Sequence, residues 1–210
     1  LNTMEYITMS TAGNTTDFGN LLTAVLNKPG GLGSNTRGVI VGGNDNATGD
    51  INVIQYITIA NTGNATDFGN LSAVSRGVAT CNSNTRGIMH VDSGSDILEY
   101  ITIASTGNST DFGNLLASTS ELECGGGNSA KGLFAGGSIS GTSRQNTIQF
   151  LVIASTGNTA DFGDLTVGRG AAKGCSGFTN FTIVAGNSPS GIVSNIDKVN
   201  ISTNGNAVDF

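Results

Sequence analysis

The sequence has few charged residues, no tryptophan and almost no proline. Charged side chains make up only 11% of the 210 residues. A chain so poor in Lys, Glu and Leu does not have the composition of a helical protein. Its mean hydropathy is near zero, so solubility must come from Asn, Ser, Thr and Gly. The 32 glycines favour many short strands joined by tight turns.

Positive charge is also scarce and scattered. Nine basic residues stand against fifteen acidic ones, which gives a formal net charge of −6. No basic stripe is present that could neutralise phosphates, so we expect no nucleic-acid partner. No apolar run approaches the roughly 18 residues that a transmembrane helix needs, so we expect no membrane insertion.

Cysteine and histidine are too few to suggest a cofactor site. Cys81, Cys124 and Cys175 form no Cys-x-x-Cys pair, and we interpret them as small buried apolar groups. The one histidine, His90, would share a strand face with Asp92. That pair could serve acid–base chemistry, but we interpret His90 as a single polar substitution near a channel. We expect no metal and no cofactor.

What the sequence has in abundance is internal repetition. The phrase at 100–113, Tyr-Ile-Thr-Ile-Ala-Ser-Thr-Gly-Asn-Ser-Thr-Asp-Phe-Gly, recurs at 6–19 and 56–69, and more loosely at 150–163. A degenerate fifth copy ends at Phe210. The aspartates of the five copies lie 50, 44, 50 and 48 residues apart, at Asp17, Asp67, Asp111, Asp161 and Asp209. Such a period predicts a radial or stacked repeat architecture.

Each unit contains four segments that read as strands. In the unit 74–115 they are 75–81, 85–91, 97–103 and 109–115, with turn residues between them. Four strands in this length predict an antiparallel meander. The third segment is apolar on both faces, as expected of a sheet held between two other sheets. The Gly-Asn pair before the fourth segment predicts a tight hairpin turn.

The predicted fold class is therefore all-β. The chain is a single repeat domain, 1–210, of about four and a half four-stranded antiparallel propeller blades, with a β-solenoid as the alternative. The first unit, 1–24, is a half blade. The whole blades that follow span 25–72, 73–116, 117–165 and 166–210. We expect this domain to be part of a larger propeller.

The residues repeated in every copy are interpreted as scaffold. Phe18, Phe68, Phe112, Phe162 and Phe210 are expected to fill the wedges between adjacent blades. The preceding aspartates could suggest a ring of calcium ligands, but equivalent positions of a propeller lie apart, so we interpret them as Asx-type turn bonds. Glu121 and Glu123 would face one side of a strand. Paired carboxylates can hydrolyse glycosides, but adjacent like charges more often mark a solvated strand edge.

The second strands end in Val41-Gly42-Gly43 and Ala135-Gly136-Gly137. A hydrophobic strand ending in Gly-Gly resembles the kelch repeat, which builds β-propellers, although kelch repeats usually carry a Trp where this chain has Phe. The repeated phrase together with Asn-Thr-Arg-Gly-Val is similar to the kelch-like arrays of marine tailed bacteriophages, notably cyanophages. This resemblance implies a virion structural or tail-fibre protein, located on the virion outside the cell, with other virion proteins as partners.

Recognition is sought where the copies differ, since loops on a rigid scaffold often carry binding residues. The loops after the second strands supply the candidate receptor-binding residues Asn44, Asp45, Asn46, Asp50, Ser93, Asp96, Ser138, Ser140, Arg144 and Asn187. Neutral drift in exposed linkers is the alternative interpretation. We expect a non-enzymatic adhesion module that contacts a host surface glycan or protein. The alternatives are a purely structural spacer or decoration protein and a carbohydrate-active propeller enzyme. A homo-oligomer stays open, because a neighbouring chain could complete the split blade.

Overall fold

A computed structural model of the chain describes residues 2–45, 47–91 and 94–210. In these ranges the strands form four four-stranded antiparallel sheets and four two-stranded ones. The large sheets are arranged as a four-bladed β-propeller, so the predicted fold is confirmed and the solenoid alternative is wrong. Within the described ranges, no helix is long and apolar enough to cross a membrane.

The chain begins with a half blade and continues with four whole blades, A to D. The half blade contains β1 (Thr3–Tyr6) and β2 (Thr16–Asn20). Blade A contains β3 (Gly30–Gly33), β4 (Arg37–Val41), a separate hairpin of β5 (Asn44–Asp45) and β6 (Gly49–Asp50), β7 (Val53–Thr58) and β8 (Thr66–Asn70). Blade B contains β9 (Thr80–Asn82), β10 (Arg86–His90), β11 (Ile97–Thr102) and β12 (Thr110–Asn114).

Blades C and D repeat the pattern of blade A. Blade C contains β13 (Gly125–Gly127), β14 (Lys131–Ala135), the hairpin of β15 (Ser138–Ile139) and β16 (Ser143–Arg144), β17 (Thr147–Val152) and β18 (Ala160–Asp164). Blade D contains β19 (Lys173–Ser176), β20 (Asn180–Val184), the hairpin of β21 (Asn187–Ser188) and β22 (Gly191–Ile192), β23 (Ile196–Asn200) and β24 (Val208–Asp209). In every whole blade the four long strands are called strands one to four in chain order, and strand one of each blade packs beside strand one of the next.

The repeated Phe is placed by a β-bulge in strand four. In blade B, Leu98 pairs with Gly113 and Glu99 pairs with Asp111, so Phe112 has no partner in the ladder. A bulge of this kind bends the strand and redirects a side chain. The same irregularity occurs in blades A and C and in the half blade. The local sequence Asp-Phe-Gly therefore decides where strand four turns.

The core lies between neighbouring blades, and the repeated rings fill it as predicted, with one exception. Phe68, Phe112 and Phe162 each belong to a cluster that joins two blades, and each meets the aromatic ring of its own strand three edge-to-face. Phe18 is also buried. The prediction is wrong for Phe210, which is 74% exposed because no further blade follows blade D in the described chain.

The Gly-Asn pairs join neighbouring blades, and the tight hairpin predicted there is wrong. A longer loop separates β11 from β12 and reaches back to blade A. The N–H of Gly107 donates to the carbonyl of Phe68 (2.7 Å), and Asn108 Oδ1 accepts from the N–H of Asn70 (3.0 Å). The same two hydrogen bonds recur at the other three blade junctions. We call this contact the clasp.

A buried acceptor in strand three makes a second contact at each junction. Gln149 Oε1 accepts from the N–H of Leu116 in the preceding blade (2.9 Å). Asp197 Oδ2 accepts in the same way from the N–H of Thr166 (2.8 Å) and lies 2.9 Å from Nη2 of Arg169, with both charged side chains fully buried. The same position is held in blades A and B by Gln55 and Glu99.

Three further expectations need correction. Cys81 and Cys124 are buried as predicted, and burial raises the pKa of the Cys124 thiol to about 12, but Cys175 is exposed. It lies at the position of Cys81, which packs against Gly132 of the next blade, and blade D has no such neighbour among the described residues.

The repeated aspartates are exposed, and none of them accepts an Asx-type hydrogen bond in the part of the chain that the structure describes. The residues Asp17, Asp67, Asp111, Asp161 and Asp209 all behave in this way. Finally, strand one of blade C begins at Gly125, so the two glutamates precede the strand.

Candidate site at the channel mouth

One face of the propeller carries both the small hairpins and the segments that lead into strand one. Isolated bridges join Asn27 to Asn44, Ser120 to Ser138 and Gly170 to Asn187. Each bridge ties a hairpin that follows strand two to the chain just before a strand one. We call this side the mouth face, because the central cavity opens among these entry segments.

The central cavity has a volume of about 450 Å³ and is bounded by strand one of all four blades. Its walls are largely backbone, since glycines line three of the four strands, with Gly31, Gly126 and Gly174 as examples. Uncharged polar side chains come from Thr80, Asn82 and Ser176, and charged ones from Glu123 and Lys173. A cavity of this character offers hydrogen bonds rather than apolar surface to a ligand.

Glu123 is the charged group at the cavity that pairs with two lysines. It belongs to blade C, and its carboxylate accepts a hydrogen bond from Lys28 Nζ of blade A (2.5 Å) and one from Lys173 Nζ of blade D (2.8 Å). The Glu123 side chain is only 5% exposed, whereas both lysines are about half exposed. Burial raises the pKa of Glu123, but the two lysine hydrogen bonds outweigh burial, and the net pKa lies below its ordinary value. The carboxylate therefore stays charged at neutral pH and joins three blades.

A smaller cavity of about 180 Å³ lies beside Glu123 and is lined by Lys28, Arg76, Gly77 and Glu121. Glu121 forms an ion pair with Arg144 of the blade C hairpin. Arg76 lies 3.6 Å from Asp50 of the blade A hairpin. These contacts tie the hairpins to the rim of the channel.

The entry segments have an unusual backbone at equivalent positions. Lys28, Glu121 and Ala171 have φ near +53°, and the corresponding residue of blade B is Gly77 at +68°. A residue other than glycine is disfavoured there by about 1–2 kcal/mol. The conformation lets entry segments bond to each other, since the N–H of Gly77 donates to the carbonyl of Lys28 (2.8 Å) and that of Ala171 to Glu121 (2.9 Å). Non-glycine residues in such positions are found where the surrounding structure holds them for a reason, as Lys28 and Glu121 are held here by ion pairs.

The structure divides the predicted receptor-binding residues into two groups. Several are engaged within the scaffold: Asn44 Nδ2 donates to Asp50 Oδ1 (2.8 Å), Arg144 pairs with Glu121, and Ser138 is fully buried, which does not fit a receptor contact. Asp45 accepts from the N–H groups of Ala47 and Thr48 across its hairpin turn, and hydrogen bonds from Thr48 lower the pKa of Asp45.

The second group is open to solvent. Ser140 and Asn187 are exposed, and Asp96 is partly exposed. Asn46 and Ser93 lie outside the described residues. The mouth face therefore presents fewer free side chains than the sequence predicted, because short hairpins use their own polar groups to hold their turns.

The described residues that were considered for catalysis are each held by other groups of the chain. Glu121 and Glu123 line one small cavity, but Glu121 pairs with Arg144 and Glu123 pairs with two lysines. The Glu123 side chain is buried, so it is not part of a solvated strand edge. His90 is buried, with Nε2 3.1 Å from the carbonyl oxygen of Ser95. Its proposed partner Asp92 lies outside the described residues. Across the ranges 2–45, 47–91 and 94–210, no three His, Cys, Asp or Glu side chains are grouped to hold a metal ion.

Sequence reasoning missed the roles of Lys28, Arg76 and Lys173. A signal was present, because Glu123 and Lys173 are charged, whereas the segments that lead into strand one of blades A and B carry small or apolar residues there, namely Pro29, Gly30, Val78 and Ala79. A charge at a position that is otherwise small or apolar indicates a contact that only that blade makes.

All nine basic residues have a defined partner. Four stack on aromatic rings of strand three or strand four, namely Arg37, Arg86, Lys131 and Lys198. Arg169 is buried beside Asp197, and the remaining four are paired on the mouth face. Four of the nine basic residues thus lie on the mouth face, and each of them is paired with a carboxylate there.

No protein family matched the sequence, and no curated protein matched it either.

Proposed function

We propose that this chain is a non-enzymatic module of a phage virion: a kelch-like propeller of a tail fibre or appendage that binds a host surface glycan through its mouth face. The observation that carries the proposal is the arrangement of that face. Three hairpins of unlike sequence surround a polar channel, while the blades that hold them share one strand order and, in blades A to C, the strand-four phrase Asp-Phe-Gly. A scaffold that stays constant under variable projections is typical of recognition proteins.

The charges of the mouth face favour a ligand rich in oxygen atoms. Lys28, Arg76 and Lys173 are each about half exposed, and each keeps N–H groups toward solvent after making its ion pair. Hydroxyl oxygens of a polysaccharide accept such hydrogen bonds. The resemblance of the repeated phrase to kelch-like phage proteins supports the proposal that such a ligand lies on a host cell.

The test compares two matched sets of substitutions. The mouth variant combines Arg76→Gln, Ser140→Asn and Asn187→Ala, all at exposed positions. The control combines Asn35→Ala and Asn84→Ala in the exposed turns between strands one and two, on the opposite side. Binding to isolated host surface polysaccharide is measured by calorimetry, and adsorption is measured with particles that carry each variant.

We expect the mouth variant to lose binding by roughly tenfold or more, which is a change of about 1.4 kcal/mol. Both variants should keep a melting temperature within about 2 °C of the parent, since exposed substitutions change stability by about 0.5 kcal/mol or less. Unchanged adsorption by the mouth variant would refute recognition. If chemical cross-links then joined the hairpins to other virion proteins, a structural spacer would be the correct function.

A further inference from the structure

The half blade exposes the positions that the whole blades bury. In blade B, Ile101 and Ile103 of strand three are 3% and 1% exposed, but the corresponding Ile7 and Met9 of the half blade are 60% and 96% exposed. Glu5 is exposed as well, although the same position is buried in all four blades. Strand β1 and the residues after it therefore carry apolar side chains that the whole blades bury but the half blade exposes.

The backbone of this strand is open on one edge. In blade B the N–H of Ile103, just beyond strand three, donates to the carbonyl of Thr85 at the start of strand two (2.9 Å). The equivalent N–H of the half blade belongs to Met9, and among the described strands β1 pairs with β2 alone, on its other edge. Open strand edges are templates for a further strand, and natural edges are usually protected by Lys, Pro or a bulge on the open side. Residues 2–9 contain neither Lys nor Pro.

In blades A and B an arginine of strand two stacks on an aromatic ring of strand three and donates a hydrogen bond to a carbonyl of the next blade. The same ring and carbonyl are present beside the open edge of the half blade. Arg86 lies 4.4 Å from the centre of the Tyr100 ring and donates to the carbonyl of Ile153 in the next blade (3.0 Å). Arg37 does the same with Tyr56 and the carbonyl of Ile103.

At the half blade the equivalent groups are Tyr6, which is 42% exposed, and the carbonyl of Ile59 in blade A. The Ile59 side chain is 48% exposed, whereas Ile103 and Ile153 are each 1% exposed. Both partners of an arginine are therefore present at this edge and open to solvent.

Blade A also has room for a strand-one side chain. In blades B and C the glycine of strand two leaves a space that a strand-one side chain of the preceding blade fills. A Cβ at Gly87 would meet Leu32, and a Cβ at Gly132 would meet Cys81. At the equivalent Gly38 a Cβ would meet only Ile57 of its own blade. The surface between the half blade and blade A thus has three features of a blade junction: a strand edge, the ring and carbonyl that bind an arginine, and the space at the strand-two glycine.

We infer that this surface, defined by Tyr6, Met9, Gly38 and Ile59, binds a β-hairpin made of strand one and strand two of the same repeat. The hairpin carries a Leu- or Cys-sized side chain on its first strand for the space at Gly38. On its second strand it carries an arginine for Tyr6 and the Ile59 carbonyl. Edge-to-edge pairing with a second copy would satisfy β1 alone and would leave the space at Gly38 and the Tyr6 ring unfilled.

The probe is a synthetic peptide with the sequence of residues 29–43, which contains one complete hairpin of this kind. Added to the 210-residue chain, it is expected to bind with 1:1 stoichiometry, to raise the melting temperature and to slow hydrogen exchange of the Met9 amide at least tenfold. The matched control is the same peptide with Arg37→Ala. Loss of the stacked, hydrogen-bonded guanidinium should weaken binding roughly fivefold to tenfold.

A protein variant tests the space on blade A independently. Gly38→Val brings its Cβ to 3.2 Å from the end of the Ile57 side chain, which must shift by a few tenths of an ångström. A melting curve of the variant alone checks that it folds. Because the new side chain fills the space, it should abolish peptide binding. The inference is overturned if the peptide does not bind, or if neither substitution weakens it. It is also overturned if sedimentation shows dimers of the chain alone in which Met9 is already protected, since the edge would then belong to a second copy.

Discussion

The clasp between blades can be tested at a single atom, the Cβ that Gly113 lacks. A Cβ at this position would lie 2.4 Å from the carbonyl oxygen of Gly157 in blade C, and the backbone of Gly113 has φ near +146°. Gly113→Ala must therefore displace the clasp. The displacement breaks the hydrogen bond from the N–H of Gly157 to the Phe112 carbonyl (2.7 Å) and the bond from the N–H of Asn114 to Asn158 Oδ1 (3.0 Å).

The expected loss of unfolding free energy follows from these contacts. A third hydrogen bond, from the N–H of Thr159 to the Asn114 carbonyl (2.9 Å), lies in the same contact. Each of the three contributes about 1 kcal/mol. The backbone conformation adds about 1–3 kcal/mol for a residue with a side chain. The total is about 4–6 kcal/mol, to be measured from urea unfolding curves.

Gly31→Ala is the matched control, because a Cβ at Gly31 would meet nothing within 4 Å. It should change the unfolding free energy by about 0.5 kcal/mol or less. If Gly113→Ala unfolded within about 1 kcal/mol of Gly31→Ala, the clasp would not hold the blades together as argued.

Three other perturbations have definite expected outcomes. Phe112→Ala should lower the free energy of unfolding by about 3–5 kcal/mol, whereas Phe210→Ala should change it by less than about 0.5 kcal/mol, because only the first ring is buried. Asp197→Asn should cost about 3–5 kcal/mol by leaving Arg169 buried without a counter-charge, and adding Arg169→Met should recover stability; urea midpoints of the single and double variants check this. Glu123 has a lowered folded pKa, so its contribution is complete above its unfolded value of about 4.5 and is lost as the pH falls through the folded value. The stability difference between the parent and Glu123→Gln should therefore shrink between pH 7 and pH 3, and a constant difference would contradict the ion-pair assignment.

The fold was predictable because its signals are local and repeated. Four strand-like segments in every period of 44 to 50 residues, with apolar residues on both faces of the third, leave few architectures open. The packing role of the repeated Phe was predictable for the same reason. The prediction was wrong for Phe210, because burial of the ring depends on a neighbouring blade. The local phrase does not indicate whether that neighbour is present.

The Gly-Asn pair shows how a long-range contact can be mistaken for a local one. Glycine and asparagine side by side are the ordinary signature of a hairpin turn. Here the glycine allows close approach to another blade, and the asparagine side chain accepts a hydrogen bond across the junction from a residue 38 to 44 positions away. Local turn chemistry and interblade chemistry use the same residues, so sequence alone could not separate them.

The contacts at the channel mouth were less predictable from the sequence than the fold was. Lys28 and Lys173 lie 95 and 50 residues from Glu123, and no spacing rule connects them. They meet because the blades turn about a common centre and bring their entry segments together. The hairpins beside them looked like free loops in the sequence, but their polar side chains are largely used to close their own turns and to pair with the rim.

By itself, the sequence determined that this chain is a series of four-stranded β-units with one aromatic ring per unit, since strand periodicity and turn residues act within a few positions. Tertiary structure decided which of those units have neighbours, which charges meet at the centre and which edge stays uncovered. Those properties depend on residues tens of positions apart being brought into contact, and contacts of that range leave no pattern in a short stretch of chain.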